Sequence, residues 1–298
     1  MSTTLAKVAA TPVVARAHRA RSKVWRRIGM GVFYIALTAV AIFCITPMVW
    51  MLLGSFKYDS EILAYPPTFL PKYWLYQNYV RATTLIPMGR WFLNSVILAA
   101  ITELSVLTTA SLAGYAFAHL EFRLKRVLFL SILGTMMIPF FTIMIPLFLM
   151  VSRLKLLNTY LGMVLPGLVS AYGIFLMRQF MSTIPTELLE AARIDGSSEF
   201  RIWAEIIIPN SRPALGTLAL FTFLGSWDSF TWPLVIVNQR PMKPIALGLV
   251  EFTGQLAFET KYGTLLAASS IAVVPVLIVF ILAQEQIIES FHLSGLKG

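Results

Sequence analysis

The sequence predicts an all-α integral membrane protein with six transmembrane helices and one charged helix–turn–helix between two of them. Composition is the first reason: 57% of the 298 residues are hydrophobic and 13% charged, and mean hydropathy is +0.75. Soluble domains carry about 25% charged residues, so this chain cannot cover a water-facing surface and its solvent is lipid. The second reason is a set of long windows almost free of Asp, Glu, Lys and Arg. Ile28–Phe56, Val127–Ser152, Leu156–Met177 and Tyr262–Gln284 contain none; Trp91–Leu120 contains Glu103 alone and Pro213–Gln239 Asp228 alone. Each exceeds the roughly 20 residues a helix needs to cross hydrocarbon. Helices are required because they satisfy their own backbone hydrogen bonds in lipid.

Residues 1–27 form a basic arm. Lys7, Arg16, Arg19, Arg21, Lys23, Arg26 and Arg27 stand there with no acid among them, as on the cytoplasmic flank of a first span. The net charge of +10 comes from this flank and from short loops rather than from one basic face, which argues against nucleic acid as a partner. The first apolar run is too long for a signal-peptide core and is read as retained. Six spans with an inner N-terminus put both termini in the cytoplasm. Residues 28–290 then make the membrane domain and 291–298 a cytoplasmic tail. The single cysteine, Cys44, lies in the first span and carries no redox information.

The segment Lys57–Arg90 is rich in Tyr, Trp and Pro, which fits an interfacial belt built on an extended loop with a short flat helix. Asn238–Tyr262 is a second sizeable loop on that side. Pro47, Pro139, Pro146, Pro166, Pro233 and Pro275 fall inside apolar windows, where they kink helices or bend them around a pathway.

Residues 181–212 break the apolar pattern. Pro185 suits a first helical turn and Glu187 complements the positive helix end. The helix runs to about Asp195 and stops at Gly196, a C′ residue. A second helix, "SSEFRIWAEII", is expected to end at Pro209. Ala191 and Ala192 leave a smooth surface for close packing, framed by Glu187, Glu190, Arg193, Asp195, Glu199 and Arg201. An acid-rich hairpin of this kind suits a protein partner.

The spacing is specific. Glu190-Ala191-Ala192, three residues to Gly196, nine to Ile206, then Ile208-Pro209, is similar to the EAA signature, EAA-x3-G-x9-I-x-L-P, of binding-protein-dependent ABC importers. Ile208 replaces the usual Leu. "SFKYDSEILAYPPTFLPKYWLYQNY", "RWFLNSVILA", "LAGYAFAHLEF" and "FHLSGLKG" extend the resemblance over nearly the whole chain, to permease subunits of carbohydrate importers of the maltose-permease type in bacterial or archaeal cytoplasmic (inner) membranes. The resemblance implies a second homologous permease subunit, two ATPase subunits inside and a solute-binding protein outside. It implies that Glu187, Glu190, Ala191, Ala192, Asp195, Gly196, Ile206 and Pro209 carry the ATPase-coupling contacts, and that Asn238–Tyr262 reaches the binding protein. No G-x-x-x-x-G-K-[ST] loop occurs, so the chain is not expected to be an enzyme. ATP and Mg belong to the partner ATPases, with no cofactor in this subunit.

For the solute, Trp227, Asp228, Ser229 and Trp232 in "FLGSWDSFTWPLVIV" combine indole faces with polar groups at membrane depth, where an ionisable residue is costly. The alternative role for Asp228 is packing between helices. Relatives commonly show Trp-Asn where this chain has Trp227-Asp228. Glu103, among Thr102, Ser105, Thr108 and Thr109, is expected to hydrogen-bond across helices, and His119 to mark an interface. An ion-coupled transporter or channel using Glu103 and Asp228 is the competing function; it leaves the hairpin unexplained. No histidine or cysteine stands at ligand spacing, so no metal site is expected.

Overall fold

The computed structural model describes the backbone of residues 12–253 and 261–295 and the side chains of 29–253 and 261–284. The basic arm's side chains, the segment 254–260 and the tail's side chains therefore lie outside the described residues. Every regular element among those described is helical.

Helix α1 (Pro12–Gly54) carries the first apolar window, and none of its most apolar stretch is buried within the chain. At its end it meets the last helix of the chain, where Gly54 faces Leu266. Two short helices, α2 (Asp59–Ile62) and α3 (Gln77–Thr84), stiffen the aromatic loop that follows. Lys57 is fully buried there: its ammonium lies 4.8 Å from the centre of the Trp50 ring and donates to the Thr68 carbonyl. Asn78 Nδ2 donates to the carbonyls of Ser55 and Lys57, both at 2.9 Å, so the loop is pinned to the end of α1.

Helix α4 (Met88–His119) is a continuous span. The next two windows are broken. Helices α5 (Lys125–Met136) and α6 (Phe140–Arg153) meet at 98°, with Pro139 as the N-cap of α6. Helix α7 (Tyr160–Val164) with the 3-10 turn Leu165–Gly167 meets α8 (Ala171–Met181) at 45°. Ser170 closes the start of α8 by accepting from the Gly173 N–H at 3.0 Å. The charged hairpin follows as three short helices, α9 (Thr186–Ile194), α10 (Glu199–Ile202) and α11 (Ile208–Asn210). Beyond it, α12 (Arg212–Trp227) runs 16 residues and stops; α13 (Thr231–Ile236) resumes after a three-residue interruption. A short helix, α14 (Ile245–Leu249), precedes α15 (Tyr262–Gly295).

By length and composition, three helices among the described residues can cross a membrane, or up to five spans if each bent pair counts as one. The fifth of the six expected windows, Pro213–Gln239, is divided instead at Asp228–Phe230. Proline explains two of the breaks, since it removes an N–H donor and disfavours helix in the residue before it.

Three buried clusters stack along the molecule, and α4 contributes to each. Val106, Ala110, Tyr115 and Phe117 join α8 at the hairpin end; Leu98 joins α7 and α13; Met88 and Trp91 join α14 and α15. Small residues bring α4 and α8 together: a Cβ on Gly114 would lie 2.6 Å from Met177 Cβ, and one on Gly173 3.1 Å from Ala110. Such pairs are the usual means of close approach where lipid provides no hydrophobic drive between helices.

Candidate functional site

In the hairpin, a wider π-helical turn at Trp203–Ile207 links α10 to α11. Pro185 caps α9 from just outside its first turn. Gly196 takes φ +82°, a left-handed conformation that L side chains rarely adopt. The Ser197 N–H bonds the Ala192 carbonyl at 2.9 Å and the Gly196 N–H that of Arg193 at 3.0 Å, the paired closure of a Schellman end. The second helix ends beside Pro209, as the sequence suggested: the chain runs one residue further, to Asn210, and breaks at Ser211. The π-helical turn widens the helix just ahead of Pro209, where a regular turn would press the ring on a carbonyl.

The hairpin has two faces. Leu189, Ile202 and Ile207 are 1%, 1% and 0% exposed and seat it against α4 and α8, each contributing about 1.5–3 kcal/mol by burial. Its other face presents Glu187, Glu190, Ala191, Asp195 and Pro209 to solvent, with Ala192 and Ile206 half-buried. Ile194 is 87% and Phe200 67% exposed beside them, apolar surface that a water-facing loop would not leave uncovered. At the rim, Arg193 binds Glu199 through two nitrogens, at 2.8 and 3.2 Å, and the buried Tyr115 hydroxyl donates to the same carboxylate. The Arg193 guanidinium, then the Tyr115 hydroxyl, hold the Glu199 carboxyl below the usual carboxylate range. Glu199 in turn raises Arg193.

A cavity of about 510 Å³ lies where the three helix breaks converge. Phe140 opens α6, Pro166, Gly167 and Ser170 lie in the α7–α8 break, and Ser229 and Phe230 in the α12–α13 break; Leu98, Thr102 and Val106 of α4 complete the wall. Irregular backbone at membrane depth is tolerated where it is buried in protein or lines a cavity. Thr102, Ser170, Thr222, Ser226, Ser229 and Thr231 supply hydroxyls, Phe140, Phe221, Phe230 and Trp232 supply aromatic surface, and none of the described residues that line it is ionisable.

The structure separates the four pathway residues expected from sequence. Ser229 and Trp232 line this cavity, although the Trp232 Nε1–H is taken by the Gly162 carbonyl at 3.0 Å. Trp227 turns away, stacking on Phe223 and donating to the Ala272 carbonyl of α15 at 3.1 Å. Asp228, at the exposed cap of α12, lines a smaller cavity of about 210 Å³ beside α15. No ion pair reaches Asp228 among the described residues. Neighbours in sequence diverge because the helix ends between them. Sequence reasoning missed Thr102, Ser170 and Thr222 as pathway hydroxyls; the signal was the prolines Pro139, Pro166 and Pro233 beside the breaks. Glu103 does not make the expected interhelical hydrogen bond: its Oε2 is buried without a partner, and Glu103 lines neither cavity. His119 does more than mark an interface, since its Nε2 bonds the Met181 carbonyl at 2.8 Å and ties α4 to α8.

On the face away from the hairpin, the loop that follows α13 is anchored up to residue 253. Trp91 Nε1 donates to the Arg240 carbonyl at 2.7 Å, and Asn94 Nδ2 to those of Pro241 and Lys243 at 2.8 and 2.9 Å. Gly248 lies flat on Trp91, where a Cβ would come within 2.1 Å of the ring.

Residues 107–290 match the family described as binding-protein-dependent transport system inner membrane component. Over 278 residues the chain is 33% identical to the arabinooligosaccharides transport system permease protein AraQ of Bacillus subtilis (strain 168), covering 91% of this chain and 96% of that protein. The lactose transport system permease protein LacG of Rhizobium radiobacter is 32% identical over 264 residues, covering 89% and 95%. The crystal structure of a bacterial ABC transporter involved in the import of the acidic polysaccharide alginate shares the fold, with a TM-score of 0.77 at 24% identity over 87% of this chain and 96% of that one. The chain therefore belongs to the binding-protein-dependent transport system inner membrane components, as a permease subunit of an ABC importer.

Proposed function

We propose that the chain forms half of the translocation pathway of an importer for an uncharged sugar in a bacterial or archaeal cytoplasmic membrane. A second permease subunit supplies the other half, and the 510 Å³ cavity is the solute's station in this half. Two partner ATPases hold ATP and Mg and grip the exposed hairpin face of Glu187, Glu190, Ala191, Ala192, Asp195 and Gly196. Ile206 and Pro209 set that face at the correct angle. A solute-binding protein docks on the opposite side, and both termini lie with the ATPases.

The observation that carries the solute class is the cavity's lining. Hydroxyls and aromatic faces suit a polyhydroxy ring, and the volume falls within the usual range of small-molecule sites, about 300–1,000 Å³. A carboxylate or phosphate would enter a low-dielectric wall with no side-chain cation to pair with, at a cost of several kcal/mol. Arabinooligosaccharides and lactose, in the names of two relatives, are uncharged. The sn-glycerol-3-phosphate in the name of another relative, 30% identical over 266 residues, is anionic, so the lining and not the names carries the solute class.

The test is uptake into vesicles holding the full complex with its binding protein. A neutral di- or oligosaccharide is expected to accumulate with ATP and to be displaced by other neutral sugars. Preferred uptake of a sugar phosphate or uronate would overturn the assignment.

A further inference from the structure

The hairpin is joined through the chain to α8 on one side and α12 on the other. Helix α4, which lines the cavity with Leu98, Thr102 and Val106, is not joined to it at all. Yet α4 ends against the hairpin. The contacts between them are of two kinds, and they differ mechanically. The apolar seat of Leu189, Ile202 and Ile207 is non-directional and lets surfaces slide. The polar contact is directional: one carboxylate, Glu199 at the start of α10, accepts from Arg193 of α9 and from Tyr115 of α4.

We infer that Tyr115, Glu199 and Arg193 form a latch that makes α4 follow the hairpin, carrying its displacement to the cavity. This rests on the hairpin being gripped by partner ATPases, as proposed above. Tyr115 is 3% exposed, so its ring is held in place, and releasing its hydroxyl from Glu199 gives up a charge-assisted hydrogen bond. Arg193 lies next to Ala192 in the gripped helix, so movement of α9 pulls on Glu199 directly. From Tyr115 to Val106 is about 13 Å along one helix at 1.5 Å per residue, and α4 runs unbroken between them. Tyr115 and Glu199 are positioning residues: neither touches solute or nucleotide.

Other contacts join α4 to α8 and do not depend on the latch. The His119 ring bonds the Met181 carbonyl, Arg178 Nε donates to the Phe117 carbonyl at 3.3 Å, and Gly114 packs on Met177. Removing the Tyr115 hydroxyl alone therefore leaves the fold standing.

The experiment measures solute uptake and ATP hydrolysis together in vesicles containing the complete importer. Tyr115→Phe is expected to assemble with the ATPases and hydrolyse ATP, while solute imported per ATP falls about five-fold. Glu199→Ala is expected to lower the same ratio, and Tyr115→Phe combined with Glu199→Ala to lower it no further, because both cut one linkage. Glu199→Gln, which keeps an acceptor oxygen for Tyr115, is expected to recover part of the ratio. An unchanged ratio in Tyr115→Phe, or losses that multiply in the double variant, would overturn the latch alone. A parent chain that retains no ATPase overturns the importer reading along with it.

Discussion

Gly196 sets the angle between the two arms of the hairpin, because its φ of +82° is open to glycine and strained for other residues. Nothing lies within 4 Å of where a Cβ would stand, so the obstacle to substitution is backbone conformation and not space. Gly196→Ala is therefore expected to cost about 1–2 kcal/mol of local stability and to loosen ATPase retention during purification while membrane insertion persists. Retention equal to the parent's would show that the left-handed turn is dispensable. This residue was legible in sequence, since a glycine between two charged helical segments marks the C′ position where the first must stop. The π-helical turn ahead of Pro209 was not, because it has no compositional mark. Tyr115 was invisible for another reason: its partner lies 84 positions away and nothing local announces it.

The helices divide into those that hold the molecule together and those that open around the cavity. Helix α4 belongs to the first kind, and its small residues face α8 so closely that no side chain fits. Gly114→Leu is expected to force α4 and α8 apart against Met177 and abolish stable assembly, seen as loss of the monodisperse complex in detergent. Helix α12 supplies the contrast. Gly225 lines the cavity, and an added Cβ there would meet nothing within 4 Å, so Gly225→Leu should keep the fold and narrow the cavity. Uptake is expected to fall at least ten-fold while the complex elutes and melts as the parent does; normal uptake would remove this cavity from the pathway. The apolar windows announced where helices occur, and their prolines announced trouble. Composition could not say that breaks in three different windows meet at one place, because that depends on how α6, α8 and α13 are arranged around α4.

Taken whole, the chain is a stack of three buried clusters threaded by α4, with an exposed hairpin at one end and an anchored loop at the other. Helix α1 stands largely outside that stack, its apolar stretch uncovered within the chain, which suits a helix built to face lipid. The cavity wall has a further consequence. A unit charge crossing a membrane exchanges about 2.3 kcal/mol with every 100 mV of potential, but a wall of hydroxyls and rings gives an electric field nothing to pull on. With an uncharged cargo, the electrical gradient neither helps nor hinders the loaded step. Vesicles clamped with potassium and valinomycin at opposite potentials are expected to import at equal rates, so a cell whose proton motive force has collapsed could still feed through this route while its ATP lasts.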